Sequence, residues 1–478
     1  MNNHPNIPQR KQDTTPPVGA SLRETRKTAV RKVCVFGITL LLCFIIGLLL
    51  PLRPTTSALE KRELTKFPEI TWASFWDGSY FGRISEWYAD TYPFREGLLG
   101  AYHRLQEMYG LRGEQLVGEG NQVADEIPDV PTDPGISDIV ISDRAETGSV
   151  IVTDPIEPDV TDDPVETTAP PSGGGDVPEP ERSGSLYIVG DSAYDLYYFS
   201  ASSSDRYASL ISRAGQKLAG KADVYSILIP LSYAINLDKA TQSKIGVSDA
   251  EQAINYMYAK MDGAVKKVPI FKTMQAHADE YLYFRTDHHW TALGAYYAYS
   301  VFCAVRGIPA TPLSSYTVTT YDGFLGTHYS ATGSTKLNAD NITAYIPTAT
   351  NAIHITDRGG ERTKYSKGIV TPNIGAMYAA VGSQYNCFLL GDHALGEIHN
   401  ETKADGSSVL VVKESFGNAF VPFLVDSYEY VYVVDARYYD GDLTAFVTER
   451  GIRDVIFINN LSATGSSARM DELEEFIG

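Results

Sequence analysis

Two polar stretches, far apart in the chain, hold the residue types of nucleophilic catalysis. The first is "YFRTDHHWTALGAYYAY", running from Tyr283 to Tyr299, in which Asp287, His288 and His289 precede Trp290. In an extended segment, positions i and i+2 share a side, so Asp287 and His289 face together while His288 points away. A carboxylate beside an imidazole fixes its tautomer and stabilises the imidazolium, which suits the pair to activate a hydroxyl. The bland alternative is a helix N-terminus, capped by Asp287 or Thr286, with Trp290 buried behind it. Spacing alone leaves those two open. A metal is not expected, because adjacent histidines converge poorly compared with His-x-His or i,i+4 pairs.

The second stretch is "SVLVVKESFGNAFVPFL", a strand pattern running through Ser415 into an apolar helix. A serine there lies beside free helical N–H groups and the positive dipole end, which can stabilise an oxyanion. A serine at that position also serves simply as an N-cap. The alternative nucleophile is Ser192 in "VGDSAYD", again after a strand, with Asp191 beside it shaping the floor of the site. Arg285, Asn418 and His393 are further candidates for contacting substrate, though arginines near loops are more often ion-paired. The chemistry draws on side chains, and no cofactor is expected.

The elements around these residues read as α/β. Strand-like runs occupy 185–191, 223–232, 265–274, 385–393, 408–415, 429–437 and 453–461, with helical patterns over 205–218, 248–261, 292–305 and 416–425. Near-continuous apolar strands alternating with helices predict a parallel sheet with helices on both faces. All three polar turns then fall at strand ends, where such sheets bind ligands. Residues 307–380 break the rhythm and read as an insertion or cap over one edge.

Upstream, "VCVFGITLLLCFIIGLLL" gives 18 uncharged residues from Val33 to Leu50. At about 1.5 Å per residue this helix is close to the bilayer hydrocarbon thickness. Seven basic residues precede it, so the positive-inside rule predicts a cytoplasmic tail (1–32), a transmembrane anchor (33–52) and an extracellular remainder. A cleaved signal peptide is the rival reading. Residues 53–118 form an aromatic juxtamembrane segment, with helices over 78–89 and 94–109. Residues 119–184 carry 17 acidic residues against two arginines, −15 of the net −19, with ten prolines and no aromatic side chain. That composition predicts a disordered insert. Residues 185–478 form the main domain. The acidic balance excludes a nucleic-acid surface. Cys303 and Cys387 are free to pair as a single disulfide, which sets no framework.

"RTDHHWT", "GAYYAY" and "KESFGNAFVPFL" together resemble the bacterial DHHW proteins, which look like relatives of the AlgX and AlgJ alginate O-acetylation proteins and, more loosely, of DltD. The resemblance spans residues 57–118 and 185–478. It implies an SGNH-hydrolase-like domain with circularly permuted motif order, in which Ser415 is the nucleophile, His289 the base and Asp287 its orienting carboxylate. It further implies acetyl transfer to a cell-envelope polysaccharide and a multipass membrane acyltransferase as partner. Two departures stand out: Glu414 where an aspartate is common, and a second histidine, His288, in the middle of the motif. The "GDS" of Gly190–Ser192 also mimics the opening block of an unpermuted enzyme.

Overall fold

In a computed structural model of the protein, residues 124–130, 139–146, 186–366 (apart from 333, 335 and 358) and 384–478 are described, with scattered residues before 118. The chain divides into two units, 1–57 with 61–99, and 58–60 with 100–478. In the first, Thr56–Ser57 pairs antiparallel with Arg62–Glu63. The Arg53 guanidinium lies 3.9 Å from the Trp87 ring centroid and bonds Thr91 Oγ1. Tyr80, Ile84, Trp87 and Tyr88 are helical, and residues 94–112 lie outside the described set. So does the apolar run from Val33 to Leu50, apart from Val35. Among the described residues no helix is long and apolar enough to cross a membrane.

The second unit is built on these strands: β1 (Gln115–Val117), β2 (Leu186–Val189), β3 (Ser192–Asp195), β4 (Asp223–Ile229), β5 (Val265–Val268), β6 (Thr317–Phe324), β7 (Asp340–Ile346), β8 (Asn351–Thr356), β9 (Arg362–Ser366), β10 (Leu395–Asn400), β11 (Ser408–Lys413), β12 (Tyr430–Val434) and β13 (Asp454–Asn460). Eight form the main sheet, in the order β9-β8-β10-β12-β11-β13-β4-β5. From β12 to β5 every pairing is parallel. The expected all-parallel sheet is corrected at the other end, where β10, β8 and β9 add antiparallel. Two of those strands come from the 307–380 segment, so part of the presumed cap extends the sheet instead.

Helices cover both faces of the parallel half. Tyr225 on β4 meets Phe302 of α4 (Ala292–Arg306). On the opposite side, Asn459 of β13, level with Leu228, bonds the Tyr207 hydroxyl of α1 (Ala201–Leu218). Alternate residues of a strand face opposite ways, so the two helices lie on different sides. α2 (Ala250–Lys260) packs with α1. α3 (Phe271–Ala276) and α5 (Gly417–Leu424) pack with α4. β11 and β13 are buried along their whole length, as central strands must be.

Two other expectations give way. "YNCFLLGDH" is no strand: Gln384–Cys387 is a 3-10 turn, and Leu389 and Leu390 follow with φ of 55° and 61°. Left-handed backbone at branched residues costs of order 1 kcal/mol each and breaks any ladder. The 119–184 insert is not uniformly free either. Ile127, Val130, Ile139, Ile141 and Ala145 pack on the core. Thr273 on α3 accepts the Ile141 N–H and donates to the Ile139 carbonyl, both at 3.1 Å. His277 bonds the Ile141 carbonyl at 2.8 Å, and Arg144 pairs with Asp279. Averaging composition over 66 residues hid this short "DIVISD" segment, whose two isoleucines pack on the core. Cys303 and Cys387 are each buried and free.

Thr273 is fully buried, so Thr273→Val leaves two backbone groups without partners. It should destabilise the docked 139–146 segment by about 1–3 kcal/mol. The expected readout is faster hydrogen exchange confined to residues 139–146; unchanged exchange there would sink the idea that Thr273 holds the segment.

Candidate active site

The site begins with how β11 ends. After Lys413 the chain turns at Glu414–Ser415–Phe416 and enters α5, whose N-cap is Phe416. A Cβ at Gly417 would stand 2.6 Å from Lys413 Cβ, so only glycine lets the helix start this close to its own strand. The Ser415 hydroxyl is left free of capping. It points at His289, with 2.7 Å between Oγ and Nε2. The other ring nitrogen, Nδ1, is 2.5 Å from Asp287 Oδ1, which also accepts the His289 N–H at 3.0 Å. A carboxylate on Nδ1 puts the proton there and leaves Nε2 to accept from the serine.

Capping of α4 falls to Thr291, whose hydroxyl accepts the Gly294 N–H; Asp287 and Thr286 do not cap it. Asp287 is buried, which opposes its ionisation. The neighbouring His289 and His288 and the Thr327 N–H, 2.8 Å from Oδ2, outweigh burial and hold its carboxyl well below the usual range. Gly326 crosses against that carboxylate so closely that a methyl group there would overlap it. Behind it, Asp340 of β7 takes the Thr286 N–H and hydroxyl and the Arg285 Nε–H, fixing the backbone that presents Asp287.

The two turns are joined directly. Trp290 is fully buried, and its Nε1–H donates to the Phe416 carbonyl at 2.9 Å, across 126 positions of chain. Tyr385 adds a second clasp, stacking on the His289 ring (4.0 Å, 12°) and donating its hydroxyl to the Ser415 carbonyl at 3.1 Å. His288 does not point away as the extended geometry predicted. Its ring lies 3.8 Å from that of His289, and its Nδ1 bonds Thr327 Oγ1 at 2.6 Å. Burial, then the neighbouring His289, pushes its pKa down to about 4, so it is neutral at neutral pH.

Other candidates fall elsewhere. Ser192 sits in a β2–β3 hairpin, not before a helix, with its hydroxyl on Asp191. Gly190 there has φ +61°, the conformation a two-residue hairpin turn demands. Arg285 is held between Asp340 and Asp191. The Asn418 amide donates to Asp392, and His393 bonds the Leu390 carbonyl. Asp392 belongs to a buried ionic cluster with Lys413, Arg437 and Asp435 beneath the end of β11. Burial opposes its charge, but Lys413 and Arg437 keep its carboxyl low. Among the described residues, Asp287, His288 and His289 are grouped closely enough to hold a metal ion. An ion there would compete with the bonds from His289 to Asp287 and Ser415.

Sequence reasoning missed Tyr385, Thr327, Gly326 and Asp340. Thr327, Gly326 and Asp340 lie in the 307–380 segment, where no periodicity announces them, and Tyr385 opens the run misread as a strand.

The DHHW protein family model matches residues 60–434. The chain belongs to the DHHW family. A crystal structure of a DHHW family protein from Eubacterium siraeum is 27% identical, covering 62% of this chain and 96% of that one, with a TM-score of 0.53. Bacillus cereus PatB1, in a structure with a sulfonyl adduct, is 18% identical over 61% of this chain and 98% of that one, TM-score 0.50; this likeness is one of fold. The O-acetyltransferase domain of Pseudomonas putida AlgJ is 12% identical, covering 59% and 96%, and at a TM-score of 0.34 it is too distant to carry an argument. No curated protein matches. The DHHW motif that names the family is Asp287–Trp290 in this chain.

Gly326→Ala should displace Asp287 and loosen the His289 tautomer, lowering any serine reactivity by 10-fold or more, on the order of a lost orienting carboxylate or less. The check is the labelling rate of Ser415 with a sulfonyl fluoride, alongside a thermal melt to show the variant folded. Wild-type labelling in Gly326→Ala would count against the dependence on Asp287.

Proposed function

We propose that the protein is a membrane-anchored serine acyltransferase that O-acetylates a cell-envelope polysaccharide outside the cell. The observation that carries the chemistry is the series Asp287–His289–Ser415, hydrogen-bonded in one line at the carboxyl end of the central strand. His289 takes the Ser415 proton as Oγ attacks an acyl carbonyl, and Asp287 stabilises the imidazolium formed. Collapse expels the donor's leaving group, which takes the proton from His289, and leaves an acyl-serine. A sugar hydroxyl then attacks that ester and gives its proton to His289, and Ser415 leaves reprotonated.

The acetyl group and the polysaccharide rest on the resemblance of both motifs to the alginate O-acetylation proteins, together with family membership. An SGNH-like, permuted reading of the fold has the same support, along with the fold shared with PatB1. The extracellular placement and single anchor rest on the Val33–Leu50 run and its basic flank. The multipass acyltransferase that hands over acetyl is proposed on the same resemblance.

The test incubates the full chain, in detergent, with a chromogenic acetyl ester and locates any acyl group by mass spectrometry. Acyl-Ser415 should form in wild type and in Ser192→Ala. Ser415→Ala should form none, and His289→Ala should lose about 10³-fold or more in rate. A label on Ser192, or none in folded wild type, overturns the assignment. Transfer to water outpacing transfer to every glycan offered would make the protein an esterase instead.

A further inference from the structure

An acyl-serine mechanism needs donors for the negative oxygen of the tetrahedral intermediate, and the expected ones are already engaged. The Phe416 N–H donates to Glu414 Oε2 at 2.9 Å, the Gly417 N–H to the Glu414 carbonyl, and the Asn418 N–H to the Ser415 carbonyl. The Asn418 amide is bonded to Asp392, Lys413 Nζ to the same carboxylate, and Arg285 to its two aspartates. Among the N–H groups of residues 415–418, that of Ser415 is the one with no partner among the described residues. One backbone donor is less than such sites ordinarily use.

His288 can supply the second. Its N–H donates to Thr327 Oγ1 at 3.4 Å, while that oxygen is 2.6 Å from its Nδ1. Among the described residues the Thr327 hydroxyl has no other acceptor, which favours its donating to Nδ1. In that arrangement the ring proton is on Nε2. Nε2 has no protein partner among the described residues, and the side chain is 25% exposed. The ring lies 3.8 Å from that of His289, tilted by 36°, and His289 is the imidazole that touches Ser415. Glu414 and His288, the two departures of this motif, thus form one arrangement: the glutamate occupies a helix N–H, and the extra histidine offers a replacement.

We propose that His288, held as its Nε2–H tautomer by Thr327, is a catalytic residue that donates a hydrogen bond to the acyl carbonyl oxygen as Ser415 attacks. No proton is transferred; the C=O electron pair moves onto oxygen, is stabilised there by His288 and the Ser415 N–H, and returns on collapse. The inference rests on the acyl-serine reading.

The test uses the full chain in detergent, with wild type, His288→Phe and His288→Gln. Phenylalanine keeps a ring against His289 and removes the donor; glutamine removes the ring and keeps a donor nitrogen. His288→Phe should lose about 10²–10³-fold in kcat on an acetyl ester with little change in KM, and His288→Gln should recover much of it. The loss should shrink on the matching thionoester, whose sulfur accepts hydrogen bonds weakly, an effect no packing role would produce. Thermal melts establish folding. A folded His288→Phe as active as wild type, or a thionoester loss equal to the ester loss, overturns the role of His288 and leaves the acyl-serine reading intact. Should wild type itself form no acyl-serine, that reading fails and takes this inference with it.

Discussion

Everything at the site depends on two turns being held together by one buried contact, the Trp290 indole N–H on the Phe416 carbonyl. One turn carries His289 and the other the Ser415 hydroxyl bonded to it. An indole buried without a partner is costly, and a peptide carbonyl beside an apolar helix is costly too, so each satisfies the other. The bond sets the separation of the turns, and the 2.7 Å contact between His289 and Ser415 follows from it. Tyr385 then restricts the imidazole by stacking on it, and holds the nucleophile's own carbonyl. Within Asp287–Trp290, then, Asp287 and His289 form the hydrogen-bonded line to Ser415, and Trp290 fastens the two turns.

Polar side chains that take up strand ends and helix starts do the remaining positioning. Asp340 gathers the Arg285–Thr286 backbone, and Glu414 gathers the Phe416 N–H and the Asn460 N–H at 3.1 Å, tying β11 to β13 beside the serine. Beneath them Asp392 and Asp435 neutralise Lys413 and Arg437. A buried cluster of this kind is weak evidence for stability, since desolvation offsets much of the attraction. It does fix where the last residue of β11 stands.

Much of this was legible in the residues. The parallel strands β4, β11, β12 and β13 and the helices between them announce themselves by largely apolar runs. Asp287, His289 and Ser415 follow from the chemistry of their types and from a resemblance. What stayed hidden has a common physical cause. The 3-10 turn at Gln384–Cys387 contains the same apolar letters as a strand, and only the left-handed backbone at Leu389 and Leu390 sets it apart. Residues 139–146 sit inside an acidic stretch whose average composition says nothing about a few well-placed residues. The i, i+2 rule turned His288 outward because it assumes a straight strand, whereas the segment folds back so that Tyr283 bridges Trp290.

The order in which β11 meets its neighbours has a consequence for synthesis. Both strands that flank it, β12 and β13, lie later in the chain, and β13 lies beyond the last family-matched residue, 434. A ribosome that has just finished β11 has therefore made a fully buried strand without either of its partners. Until residue 460 has emerged, that ribbon has an open edge, a template for the wrong partner. A stop codon anywhere in the last stretch before β13 would thus do more than trim a terminus. It would leave Ser415 at the end of an uncovered strand.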